Sequence, residues 1–145
     1  MKVRDLGWER ILREISEMDG REVTAGLHEE DASAGQEPNE VQRGVYNEFG
    51  TDKAPARSFV RSTHDSKKRD WANKMTRDFN DLLEGRVDPS QLLENVGSEA
   101  SQDIRNTAVN MTDPPNAPST IRKKGFDDPL VETGQMVNAI NYKIR

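Results

Sequence analysis

The run His28-Glu29-Glu30-Asp31 is the first stretch of this chain whose residue types could do chemistry. A His-Glu pair opening a helix is how a zinc-protease site begins, and a second histidine four positions on completes the ligand pair. Four positions after His28 stands Ala32, and the only other histidine is His64. The pair is therefore expected to be polar surface at the end of a strand, and no metal is expected. The chain has no Gly-x-Ser-x-Gly elbow and no Gly-Lys-Ser/Thr phosphate loop. It has no cysteine, which removes disulfides, thiol catalysis and zinc–thiolate sites. Asp and Glu number 26, yet no spacing singles out an acid–base pair. Neither an enzyme nor a cofactor is expected.

Two basic clusters and one mixed stretch remain. Lys67, Lys68 and Arg69 form one cluster, and Arg122, Lys123 and Lys124 the other. The first is expected to open the long helix and the second to lie near the C-terminal end of a short one, where cations offset the helix dipole; solvated helix ends are the plain reading. The sharper reading sets them against acidic residues of a partner subunit or against DNA phosphate. No aromatics are interleaved with them, which argues against single-strand stacking. In Ala56–Arg61, "ARSFVR", Phe59 lies between Arg57 and Arg61 after a proline. The stretch either anchors a loop to its own core or serves as an interface anchor flanked by arginines.

These residues need elements to hold them. Trp8, Ile11, Leu12, Ile15 and Met18 share a helical face, predicting a helix over residues 5–19 with Gly20 as a stop. The period then changes to two: Val23, Ala25 and Leu27 predict a half-buried strand. Residues 29–38 carry Glu29, Glu30, Asp31 and Glu37 with almost nothing apolar, predicting a mobile loop. Asn39 and Gln42 have capping-box spacing, with Gly50 closing the short helix that carries Val41, Val45 and Phe49. An irregular stretch with Pro55 comes next, then a long helix with Trp71, Met75, Phe79, Leu82 and Leu83 on one stripe. That stripe is expected to pack on the strand face of Val23, Ala25 and Leu27. Asp88-Pro89-Ser90-Gln91 signals a second long helix, running to about Val109.

The closing segment, 113–145, is rich in proline. Pro114 and Pro115 predict an extended connector that holds the rest of the segment away from the second long helix. Pro118 opens a short helix ending at Gly125, Pro129 breaks the chain, and Thr133 caps one further turn. Ile140, Tyr142 and Ile144 alternate with polar residues as a terminal strand, whose available internal partner is Val23–Leu27. The expected fold is one α+β domain over 1–145, with a small antiparallel or mixed sheet packed against helices and long loops.

Composition sets limits on this fold. Hydrophobic residues make up 32% of the 145 and charged residues another 32%. With glycine included, the apolar share stays below the ~45–50% of ordinary soluble domains. Either the loops are long or neighbouring subunits complete the fold. The net charge of -5 argues against wholesale gripping of a phosphate backbone. No stretch approaches the ~20 apolar residues of a membrane span. The charged start, MKVRDLGWER, is unlike a signal peptide, so the chain is expected to act in the compartment where it is made.

Two stretches together resemble a family of tailed-phage neck and tail-completion proteins. "YNEFGTDKAPARSFVR" (Tyr46–Arg61) is similar to the family hallmark of Glu-(Phe/Tyr)-Gly-Thr, a short loop, then Pro-Ala-Arg-x-Phe-x-Arg. The match rests on Tyr46, Glu48, Phe49, Gly50, Thr51, Pro55, Ala56, Arg57, Phe59 and Arg61. The tail, "PPNAPSTIRKKGFDDPLVETGQMVNAINYKI" (Pro114–Ile144), is similar to the family's closing pattern, which opens on prolines and is matched through Pro118, Thr120, Ile121, Arg122, Lys124, Gly125, Pro129, Leu130, Thr133, Gly134 and Ile140. The chain departs from the family at Ser58, where proline is frequent, and at Met136, where arginine is.

The resemblance implies a ring-forming, non-catalytic virion subunit, usually in six copies. Such a ring is assembled in the host cytoplasm and joins the head connector to the tail, or caps the tail tube, around a channel that DNA crosses without sequence-specific binding. Its implied partners are further copies of itself, the head-completion or connector ring, and the tail terminator or tube. Arg57, Phe59, Arg61, Arg122, Lys123, Lys124, Ile140, Tyr142 and Ile144 are the expected interface residues. Glu29, Glu30, Asp31 and Glu37 are expected in the channel or between rings. The rival reading is a regulatory or DNA-binding protein acting through its basic clusters.

Overall fold

The computed structural model describes residues 7–125, 127, 130 and 134–145. Among them are six helices and a two-stranded antiparallel sheet. In chain order these are α1 (Trp8–Met18), β1 (Val23–Gly26), α2 (Glu40–Phe49), α3 (Phe59–Leu83), α4 (Pro89–Asn110), α5 (Pro118–Lys124), α6 (Gln135–Ala139) and β2 (Asn141–Ile144). The expected α+β character is present, with helix predominating. No helix of the described residues is long and apolar enough to cross a membrane.

Local sequence explains most element ends. Asn39 accepts the Gln42 N–H while the Gln42 side chain accepts the Asn39 N–H, so both halves of the capping box form. Asp88 caps α4 by accepting the Gln91 N–H, with Pro89 at the first helical position. The terminal strands pair as expected: Val23 lies opposite Ile144 and Ala25 opposite Tyr142, which puts all four on one face. The proposed cap Thr133 and the break at Pro129 lie outside the described residues.

Three expectations are corrected. First, α3 begins at Phe59, well before Trp71, so the irregular stretch ends at Ser58. Its cap comes from Glu48 on α2. Second, the helix on the sheet is α4, not α3. Gly97 of α4 makes this possible, because a Cβ there would meet the Tyr142 ring at 2.5 Å and Val23 Cγ1 at 2.9 Å. Leu82 is fully buried against Leu92 and Leu93, but Met75 is 46% exposed and Phe79 only partly buried. The middle of α3 therefore stands off the sheet.

Third, the chain after the proline connector is not held away from α4. The Arg105 guanidinium of α4 donates to the Ile140 carbonyl, through Nε at 2.7 Å, and fixes the entry to β2. Ile140 is fully buried in a cluster with Phe59, Ile104, Ala108, Met136 and Val137.

Candidate functional site

The stretch Tyr46–Arg61 is the turn between α2 and α3, and its matching residues interlock. Glu48, in the last turn of α2, is buried. Its Oε2 accepts the Val60 N–H at 2.9 Å, and its Oε1 accepts the Arg61 N–H at 3.0 Å. The carboxylate thus satisfies two of the four orphan donors at the start of α3 and sits at the positive end of its dipole. Arg61 closes the arrangement. Its Nε donates to Glu48 Oε1 at 2.9 Å and its Nη2 to the Glu48 carbonyl at 2.9 Å. The guanidinium also lies 4.9 Å over the Phe49 ring.

Gly50 is required by geometry. Its φ is +76°, and a Cβ would sit 2.8 Å from the Ala56 backbone nitrogen. Thr51 and Ala54 exchange backbone hydrogen bonds of 2.8 and 3.2 Å, reversing the chain. The Thr51 hydroxyl also accepts the Ala54 N–H. Glu-Phe-Gly-Thr is therefore a helix-end, turn and cap in four residues.

Arg57 carries the turn to the closing segment. Its Nε donates to the Pro114 carbonyl at 2.7 Å and its Nη2 to the Pro115 carbonyl at 2.8 Å. The side chain is buried, and desolvation draws its pKa down while Asp127 works against that. Asp127 also accepts the Asn116 N–H at 3.0 Å. The two stretches that carry the family resemblance are thus hydrogen-bonded to each other.

These placements change what the expected interface residues can offer. Arg57 is 6% and Phe59 1% exposed, both within the subunit, so neither has surface for a neighbour. Arg61 is exposed at the α2–α3 turn beside Phe49, itself 65% exposed. Ile140 is core, and Tyr142 and Ile144 are half-buried in β2, paired with β1. Arg122 and Lys123 are exposed in the last turn of α5, and Lys124 is partly covered.

The acidic stretch is docked on β2. Glu29–Asp31 forms one 3-10 turn. Lys143 Nζ lies 2.8 Å from Asp31 Oδ1 and 3.2 Å from Glu30 Oε1, and Arg145 pairs with Glu30. The pKa of Asp31 is lowered, first by its bond from Asn141 and then by Lys143; that of Lys143 is raised, chiefly by Asp31. His28 bonds Asn141 Oδ1 at 2.6 Å and Thr24 Oγ1 at 2.9 Å, so it ties the turn to both strands. Further on, Glu40 accepts the Ser33 N–H and hydroxyl, which hold its pKa down at about 2. Glu29 and Glu37 are exposed.

The missed feature is an apolar groove of about 850 Å³ between α3, α4 and β1. Met75 and Phe79 form one wall, Val96 and Ala100 the other, and Val23 and Ala25 the floor. The α3 stripe itself was legible; that it faces a groove follows only from the seating of α4 on the sheet. No family model, curated protein or solved structure matches this chain.

Proposed function

We propose that this chain is a structural subunit of the head–tail junction of a tailed bacteriophage. In this reading it forms a ring, of six copies as the resemblance implies, that joins the head connector to the tail around the DNA channel. It performs no catalysis. The observation that carries the reading is the Arg57 bridge to Pro114 and Pro115, because it joins the two stretches on which the resemblance rests. Glu48, Gly50, Thr51, Arg57, Phe59 and Arg61 each have a stated role in building that joint. The net charge of -5 suits a wall that lets DNA pass without holding it.

Deletion of the gene from its phage tests the reading. DNA-filled heads and separate, normal-length tails should accumulate, and supplied wild-type protein should restore joined particles. Tails of abnormal length would instead favour capping of the tail tube. Infectious particles at wild-type yield would refute a place in the junction. A gel shift at about 150 mM salt should show no retardation of duplex DNA; strong retardation would support the rival DNA-binding reading.

A further inference from the structure

A folded chain of 16.4 kDa is expected to expose about 7,500 Å², and this one exposes 9609 Å². The surplus, about 2,100 Å², is large enough for a subunit to make two contacts of standard size, which would cover ~1,600 Å² of it at ~800 Å² per partner each.

Two apolar surfaces are candidates for those contacts. One is a stripe on α1, where Leu12 and Ile15 are 49% and 40% exposed and Trp8, one turn earlier, is 63% exposed. The opposite side of α1 is fastened to the body. Arg10 on that side donates to the carbonyls of Leu82 and Leu83, and Met18, beyond the C-terminal end of the stripe, packs by Leu82 and Leu92. The stripe cannot turn inward without breaking those bonds. The other surface is the groove under Met75 and Phe79.

The two surfaces match in size and charge. Trp8 to Ile15 spans about 10 Å of helix, and the groove wall from Trp71 to Phe79 spans about 12 Å. Among the described residues, Arg21 is the one full cation lining the groove, and no carboxylate lines it. Glu9 edges the stripe, offering that arginine a partner.

We propose that the groove receives the α1 stripe of a second copy of this chain, a helix-in-groove contact. It rests on the ring reading and gives that ring its joint. Stripe and groove are different surfaces, so the contact is head-to-tail: each copy gives one helix and receives one, and repetition closes a ring.

The chain has no cysteine, so introduced thiols report cleanly. The purified full chain carrying both Leu12→Cys and Met75→Cys should, on oxidation, give a ladder of covalent oligomers ending at the ring number. A mixture of the two single variants should give covalent dimer only, and each single variant alone should stay monomeric on a denaturing gel. Leu12→Arg should fold, by circular dichroism, and raise the concentration for half-assembly at least tenfold. Self-cross-linking of Leu12→Cys alone would mean that stripes meet each other, which overturns the proposal. So would a small apolar molecule retained in the groove in native mass spectrometry. Wild-type rings without the ladder overturn the contact and leave the ring standing. A wild-type chain that sediments as a monomer overturns both.

Discussion

Glu48 and Arg61 hold each other across the turn from α2 to α3, and the same Glu48 carboxylate accepts two backbone N–H groups of α3. One acidic side chain in the last turn of α2 therefore starts the next helix and orients the arginine that covers Phe49. Glu48→Ala should destabilise the chain by about 2–3 kcal/mol, since charged hydrogen bonds and helix caps are lost together. Glu48→Gln keeps an acceptor and should cost about half as much. Urea unfolding followed by circular dichroism measures both. A cost below ~0.5 kcal/mol for Glu48→Ala would mean that Ser58 or water replaces the cap.

Arg57 should behave as a latch for the closing segment. Arg57→Lys loses the planar fork that reaches both proline carbonyls, so it should be little better than Arg57→Ala. Both should speed protease cleavage within residues 111–117 and cost about 2–3 kcal/mol. Unchanged cleavage in Arg57→Ala would show that the connector is held by other contacts.

Gly97 separates two opposite expectations. In an exposed helix, Gly→Ala stabilises by roughly 0.5–1 kcal/mol. Here the new methyl would run into Tyr142 and Val23, so Gly97→Ala should destabilise by about 1–3 kcal/mol. Adding Tyr142→Leu should relieve part of that loss. Simple stabilisation by Gly97→Ala would contradict the close seating of α4 on the sheet.

Stability should fall in acid. Glu30, Asp31 and Glu40 are all held below their ordinary values, Glu40 at about 2. The unfolded chain then takes up protons first, so their contribution is complete above about pH 5 and lost as pH falls toward 2. The raised pKa of Lys143 acts at the other end, with its contribution present below its ordinary value and lost only as pH rises past it. Melting temperature against pH should be flat from about 5 to 9 and drop below. Glu40→Gln should flatten the drop between about 4.5 and 2; an unchanged slope would exclude the Ser33 contact as its source.

What the sequence made legible depended on how local the cause was. The Asn39–Gln42 box, the Asp88 cap and the period-two strands are short-range patterns, and all three are present. The start of α3 was not legible, because its cap is Glu48, eleven residues before the first helical residue. The role of Gly97 was hidden as well: a glycine within a helical pattern signals weakness until Tyr142 is seen lying on it. Arg57 and Arg61 look alike as arginines flanking Phe59, yet only the fold separates the buried latch from the exposed cap. The acidic stretch had no apolar anchor to predict its docking; Lys143 and Arg145, over a hundred residues away, provide it.

The central claim is that this chain is built to assemble. Sedimentation velocity of the purified full chain, across a hundredfold range of concentration, tests it most directly. The account predicts a closed species of six 16.4 kDa chains that dissociates on dilution without intermediate sizes dominating. A single 16.4 kDa species at every concentration, with the chain fully folded, would contradict it.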